Sequence, residues 1–299
     1  MQRSLIRWLT FGLVALPMHA ECCKDSVAIV AQLSGTATAR SADSRERGAI
    51  HLFDWLGEGT TLEVGKQSRA IVILSNGHRY AFGPGSKAVL YADKEPKLSG
   101  DARELPALPP IPKPSAIATE SASTSGAGRI RGAEVIQQLY PRAGMAVLAD
   151  KVMLRFSGIP EATSYRLAID DSAGNHLWSA TTESAEVWIP TGVLKAGERY
   201  AWQVRAMRSG VLIALGVAEF STLPAEEALK RTAFANALSA AGDPASVAVL
   251  AGVDLRLGLI REAIDEFSAA LNQKPGDVSL QRALDSARAT MAADVSHGR

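Results

Sequence analysis

The chain has 299 residues, enough for two or three domains rather than one small one. Hydrophobic residues make up 47 % and charged residues 21 %, with a formal net charge of +1. Apolar cores are therefore within reach, but there is no basic surplus for binding nucleic acid through its phosphates or anionic lipid at a membrane surface.

Arg3 and Arg7 give the N-terminus a positive start, and Trp8 to Pro17 form a short apolar stretch. His19-Ala20 then leads into the polar run Glu21-Cys22-Cys23-Lys24-Asp25. A bilayer-spanning helix needs about twenty apolar residues, so the stretch reads as a secretory signal peptide over residues 1–20, cleaved after Ala20. An uncleaved anchor or a buried N-terminal strand is the alternative. The mature chain is expected to be periplasmic or at the cell surface, with no membrane span. Cys22 and Cys23 are the only cysteines. Glu21 before Cys22 argues against lipidation; the pair either bonds to itself or another chain, or sits idle on a loose terminus.

The stretch 26–94 reads as all-β. Val27, Ile29, Ala31 and Leu33 alternate onto one face. Ala70-Ile71-Val72-Ile73-Leu74 is a β-branched run, Ser75-Asn76-Gly77 turns the chain, and Tyr80 and Phe82 alternate on the return, a strong hairpin signal. Ser34-Gly35, the run Leu56 to Leu62 with Gly57 and Gly59, the run Gly65 to Ala70, then Leu74 to Gly77 and Gly83 to Leu90 resemble a FecR-type periplasmic β-domain. Asn76 stands where that pattern usually has an acidic residue. The resemblance implies an extracytoplasmic interaction module. FecR regulators place a cytoplasmic segment before a membrane helix; none is expected here, so the transmembrane signalling role does not carry over.

Residues 95–132 read as a linker. Six of the fourteen prolines lie between Pro96 and Pro114, which predicts a semi-rigid extended spacer, and Ser115 to Gly132 predicts a flexible one. Gly126, Gly128 and Gly132 lack the spacing of a phosphate-cradling loop and no strand precedes them.

Residues 139–223 show regularly spaced short strands. Val152, Leu154 and Phe156 alternate, as do Tyr165, Leu167 and Ile169, Val187 and Ile189, and Tyr200, Trp202 and Val204, with turns between them. This predicts a β-sandwich. The stretch Leu194 to Ala206, and Leu154-Arg155-Phe156 followed by Ala162 and Tyr165, resemble a fibronectin type III domain. The resemblance implies that Tyr200 ties a strand corner through its hydroxyl. Trp178 and Trp188 are the candidate partner-binding residues, as sugar-stacking platforms, against the plainer reading of core or half-exposed rings. Asp170, Asp171 and Asn175 lack the alternating acidic pattern of a calcium loop and read as a hairpin turn.

From 225 to 293 the period switches to helical. Gly242-Asp243-Pro244, Gly258 and Lys274-Pro275-Gly276-Asp277 divide four helices, with Asp243 and Asp277 as caps. Ile264, Phe267 and Leu271 form a buried stripe. Gly258, Ala263, Phe267, Ala270 and Pro275 stand at the spacing of the second helix of a tetratricopeptide repeat, which the run Gly258 to Leu271 resembles. In the preceding helix Leu250 and Ala251 match, but Asp254 stands where a large aromatic is usual. About three repeats make a solenoid with a groove. One repeat with flanking helices is expected to dock on a partner or on the chain itself, self-association included.

No catalytic constellation is legible. His19, His51, His78, His176 and His297 are scattered, and there is no HExxH, GxSxG or P-loop. No metal site or cofactor is expected, and no enzyme. The expected fold class is multidomain: an N-terminal all-β FecR-like domain, a central fibronectin type III-like sandwich and C-terminal α-helical repeat hairpins. The expected function is that of a non-catalytic exported adaptor binding envelope proteins. The alternatives are a peptidoglycan- or polysaccharide-binding protein, and an extracytoplasmic sensor relaying to a membrane partner.

Overall fold

The computed structural model describes residues 26–44, 46–114, 134–137, 139–241 and 246–292. The expected signal peptide, Cys22 and Cys23, the Ser/Gly-rich part of the expected linker and the Asp243-Pro244 turn lie outside the described residues.

Ten strands build the N-terminal β-domain: β1 (Ser26–Ser34), β2 (Ala37–Arg40), β3 (Gly48–Ala49), β4 (Trp55–Gly57), β5 (Thr61–Val64), β6 (Arg69–Leu74), β7 (Arg79–Phe82), β8 (Lys87–Val89), β9 (Lys97–Ser99) and β10 (Ala102–Leu105). They form two five-stranded sheets, ordered β10-β7-β6-β1-β4 and β3-β2-β5-β8-β9. The core between them holds Val30, Leu62, Val72 and Phe82. The β6–β7 hairpin turns at Asn76-Gly77 as its sequence predicts, with Gly77 at φ 93°.

The structure departs from the sequence expectation in two places. First, Val27, Ile29, Ala31 and Leu33 do not share one face. Register shifts between Ser26 and Ala28 and between Val30 and Gln32 break the alternation. Val27 and Leu33 join the sandwich core, whereas Ile29 and Ala31 point the other way. β6 is likewise covered on both faces, Ala70, Val72 and Leu74 inward and Ile71 and Ile73 outward, which is why its sequence is a continuous apolar run. Second, the linker does not begin at 95. β9 pairs with β8, β10 pairs with β7, and Leu108 and Ile111 are buried. The proline-rich chain lies along the hairpin: Leu108 N–H donates to Gly77 O at 2.9 Å and Ile111 N–H to Ser75 O at 2.9 Å. A Cβ at Gly77 would stand 2.0 Å from Leu108 O, so only glycine admits this approach. Prolines are tolerated here because the segment lies beyond the sheet edge, where no ladder bond is lost.

The second β-domain comprises β11 (Glu134–Val135), β12 (Ala146–Val147), β13 (Met153–Arg155), β14 (Ser164–Asp171), β15 (His176–Thr182), β16 (Glu186–Trp188), β17 (Arg199–Arg208) and β18 (Val211–Thr222). One sheet runs β11-β18-β17-β14-β15, with β12 also on β18, and β13 pairs with β16 opposite it. Phe156 and Tyr165 meet edge to face at 4.7 Å within the core. Trp202 is 1 % exposed and its Nε1 donates to Pro141 O at 2.7 Å, so the buried indole is satisfied. The Tyr200 hydroxyl accepts from Lys195 N–H at 2.7 Å and donates to Lys195 O at 3.2 Å, tying the corner before β17. Asp171 Oδ1 accepts from the N–H groups of Ala173 and Asn175, which closes the β14–β15 turn.

Four helices follow: α1 (Ala225–Ala240), α2 (Ser246–Leu257), α3 (Ile260–Gln273) and α4 (Val278–Ala292). Asp277 Oδ1 accepts from Ser279 and Leu280 N–H at 2.9 and 3.2 Å and caps α4. The helices are not a free tail. Phe234, Val249, Val253 and Leu257 pack with Ile29 and Ile73 on the outer face of the first domain's sheet. Gly252 lets the surfaces close: a Cβ there would lie 3.1 Å from Ile29 Cδ1 and 3.2 Å from Phe53 Cβ. On the other side Ile260 enters the core of the second β-domain, and Ala146 N–H donates to Gly258 O at 3.1 Å. The expected stripe of Ile264, Phe267 and Leu271 is only partly a buried one. Phe267 is fully buried, but Ile264 and Leu271 are half-buried and Ala263 and Ala270 complete the covered face.

Phe267 meets Phe53 at 5.3 Å and so joins the helices to the first β-domain. Phe267→Ala is expected to cost about 3–5 kcal/mol, read as a lower urea midpoint; an unchanged midpoint would sink the joint role assigned to this ring.

Candidate interaction site

The five residues of the repeat motif come together as a fastening rather than a groove. Gly258 adopts φ 81°, ends α2, and would drive a Cβ to 3.0 Å from Ala146 N. Ala263, Phe267 and Ala270 line the α3 face packed on α2 and α4, together with Ala251 and Leu284. Pro275 lies in the exposed turn before α4.

Asp254, the residue at odds with the repeat pattern, is fully buried and marks a feature that sequence reasoning left undeveloped. Arg231 of α1 donates from Nε to Asp254 Oδ1 at 2.7 Å and from Nη2 to Asp254 Oδ2, and its Nη2 also reaches Glu266 Oε1 of α3 at 2.9 Å. One guanidinium thus joins three helices. Glu262 and Glu266 each hold a buried Oε2 without a hydrogen-bond partner among the described residues. The carboxylates outnumber the cation, and burial is the main cause that pushes Glu266 up to about 9, with the neighbouring Asp254 charge adding to it. Burial raises Asp254 as well, and the bidentate bond from Arg231 opposes that rise.

An open cleft of about 800 Å³ lies between the first domain's outer sheet face and the helices. Ile71, Leu280, Arg69, Arg103 and Lys274 are among the residues that line it. The two candidate tryptophans lie elsewhere and apart. Trp178 on β15 is half-buried against the second domain's core. Trp188 on β16 is 50 % exposed, and Arg261 of α3 stands 5.3 Å from its ring centroid while donating to Met153 Sδ at 3.0 Å. No ring contact joins Trp178 to Trp188 among the described residues. His51, His78 and His176 each stand beside one carboxylate: Asp54, Glu104 and Asp170 respectively. Among the described residues no cluster is placed to hold a metal ion, and no helix is long and apolar enough to cross a membrane.

The fold class is multidomain and mostly β-sheet, with four C-terminal helices. Neither a protein family nor a curated protein matches the chain. Solved structures with a fibronectin type III-like fold do. An Fn3-like protein from Clostridium thermocellum shares 24 % identity over 30 % of this chain and 94 % of its own, with a TM-score of 0.24. The fn3 domain of the human collagen alpha-1(XX) chain shares 16 % over 34 % of this chain and 94 % of its own, with a TM-score of 0.26. CopC from Methylosinus trichosporium OB3b shares 26 % over 27 % of this chain and 84 % of its own, with a TM-score of 0.22.

Removing Arg231 would strand buried Asp254, so Arg231→Met is expected to cost about 3–5 kcal/mol in chemical denaturation; an unaltered midpoint would contradict the pairing. Because Glu266 is raised when folded, the folded state holds the proton longer than the unfolded one. Its contribution is complete below the ordinary carboxylate range and declines as pH climbs toward about 9. Glu266→Gln is expected to flatten that decline in stability measured against pH; an unchanged slope would place the titration elsewhere.

Proposed function

We propose that this protein is a non-catalytic, exported adaptor of a bacterial cell envelope, and that it binds a partner protein in the cleft between its first β-domain and its helices. The observation that carries the reading is the joint itself. The helices spend their apolar faces on both β-domains and leave beside them a cleft walled by both layers. A helical tail used in this way offers little free groove, so partner binding moves from the tail to the cleft.

The sequence resemblances supply the setting. A FecR-type first domain, a fibronectin type III-like second and a tetratricopeptide-like helical pair are interaction modules, and the N-terminal signal segment directs the chain across the inner membrane. Rigidly held modules offer a partner one pre-organised surface and lower the ordering cost of binding.

A photoreactive residue at Ser34, exposed at the cleft, is expected to yield a discrete envelope-protein adduct in intact cells. The same residue at Glu183, an exposed position in the second β-domain, is expected to yield none. No adduct from Ser34 would remove the cleft from the account.

A second reading, peptidoglycan or polysaccharide binding, is favoured by one observation: Trp188 is half exposed. Arg261 already lies against its ring, which leaves less of the indole open to a sugar. Sedimentation with purified peptidoglycan decides it. If the full chain pellets and Trp188→Ala does not, the glycan reading replaces the adaptor.

A further inference from the structure

We propose that the cleft takes an extended acidic peptide segment of the partner protein, held by Arg69, Arg103 and Lys274. This rests on the adaptor reading and adds the chemistry of the occupant.

Three basic side chains meet in the cleft. Arg69 opens β6, Arg103 lies on β10, and Lys274 follows the last turn of α3, so three separate elements bring a cation to one cleft. None of the three side chains has an ion pair or hydrogen bond among the described residues. Arg40, Lys66 and Lys97 on the same domain likewise have no ion pair among the described residues, so what marks Arg69, Arg103 and Lys274 is that they converge on one cleft.

The cleft also contains two acids, Asp101 and Asp277. Asp277 already accepts from two N–H groups at the start of α4. Asp101 lies over Gly83, where a Cβ would come within 2.1 Å of its Oδ2. Three cations against two acids, one of which is already a helix cap, leave the cleft with an excess of one positive charge.

The form of the occupant follows from the walls. About 800 Å³ with cations on three elements is more than a single small anion fills, and the lining between them is about equally polar and apolar. An extended polypeptide presents acidic and apolar side chains in alternation and so meets both. β10 is the outermost strand of its sheet and offers an unpaired backbone edge next to Arg103. A glycan would need an open aromatic face here. Phe53 is packed on Phe267 and Phe82 is 2 % exposed, so neither ring is available.

The test uses the full chain and fluorescein-labelled peptides of about twelve residues, roughly 40 Å when extended. One alternates glutamate with small apolar residues; the other carries lysine in place of glutamate. The glutamate peptide is expected to bind at least about tenfold tighter by fluorescence anisotropy, and less tightly as salt rises. The R69E/R103E/K274E variant is expected to lose at least about tenfold of that affinity with its circular dichroism unchanged, and R69Q/R103Q/K274Q to lose an intermediate amount. If charge reversal disturbs the fold, the glutamine variant alone decides. Equal binding of the two peptides, no binding of either, or full affinity in the variants overturns the proposal. So does binding of polygalacturonate, with the same dependence on the three cations, in place of the peptide. Should Ser34 still crosslink an envelope protein while the glutamate peptide fails, the adaptor reading stands and the acidic occupant falls.

Discussion

The contact between α1 and α2 and the outer face of the first domain's sheet is the constraint on which the remaining architecture depends. β1 and β6 carry apolar residues on both faces, so a free-standing β-domain would leave Ile29, Ile71 and Ile73 in water. The helices have the complementary need: four short helices, each too short to be stable alone, require an apolar surface to pack on. Gly252 removes the side chain that would hold the two layers apart, and Phe53 crosses from the β-domain to Phe267. Arg256 adds a cation over the Trp55 ring at 4.1 Å, closing the rim of the same joint. Neither part has a finished core without the other.

The second β-domain is attached to this joint from the opposite side. Ile260, the first residue of α3, completes its core, and the Gly258 carbonyl takes a backbone N–H from Ala146. The chain bend between α2 and α3 is therefore also the point of contact with the sandwich. The helical region therefore has a neighbour on both sides.

Within the helices the Arg231, Asp254 and Glu266 group serves registry more than stability. An apolar residue at 254 would satisfy the packing, and buried ion pairs seldom exceed an apolar alternative in net stabilisation. What the group adds is direction: a planar guanidinium reaching two carboxylates on two helices allows α1 only one placement against α2 and α3. A buried aspartate needs a partner, and spacing in the sequence alone does not name it.

Local chemistry made much of this protein legible in the sequence. Asn76-Gly77 dictates a hairpin because it tolerates positive φ, Asp277 caps a helix through its own neighbours, and Tyr200 reaches back five residues to Lys195. The switch from a period of two to a helical period located the four helices, because both patterns depend on residues a few positions apart. Proline content, by contrast, pointed to a spacer where the chain forms two edge strands and buries Leu108 and Ile111, since their partners lie on β7, β8 and distant helices. The alternation in β1 misled for a related reason: bulges shift its register, and both of its faces are covered. The meeting of Arg69, Arg103 and Lys274 in one cleft spans about two thirds of the chain. The sequence by itself determined the Asn76-Gly77 turn, the Asp277 cap and the helical period of the C-terminal region, because those depend on near neighbours. Only the tertiary structure decided which apolar faces are free and which charges converge, because both depend on how distant segments pack.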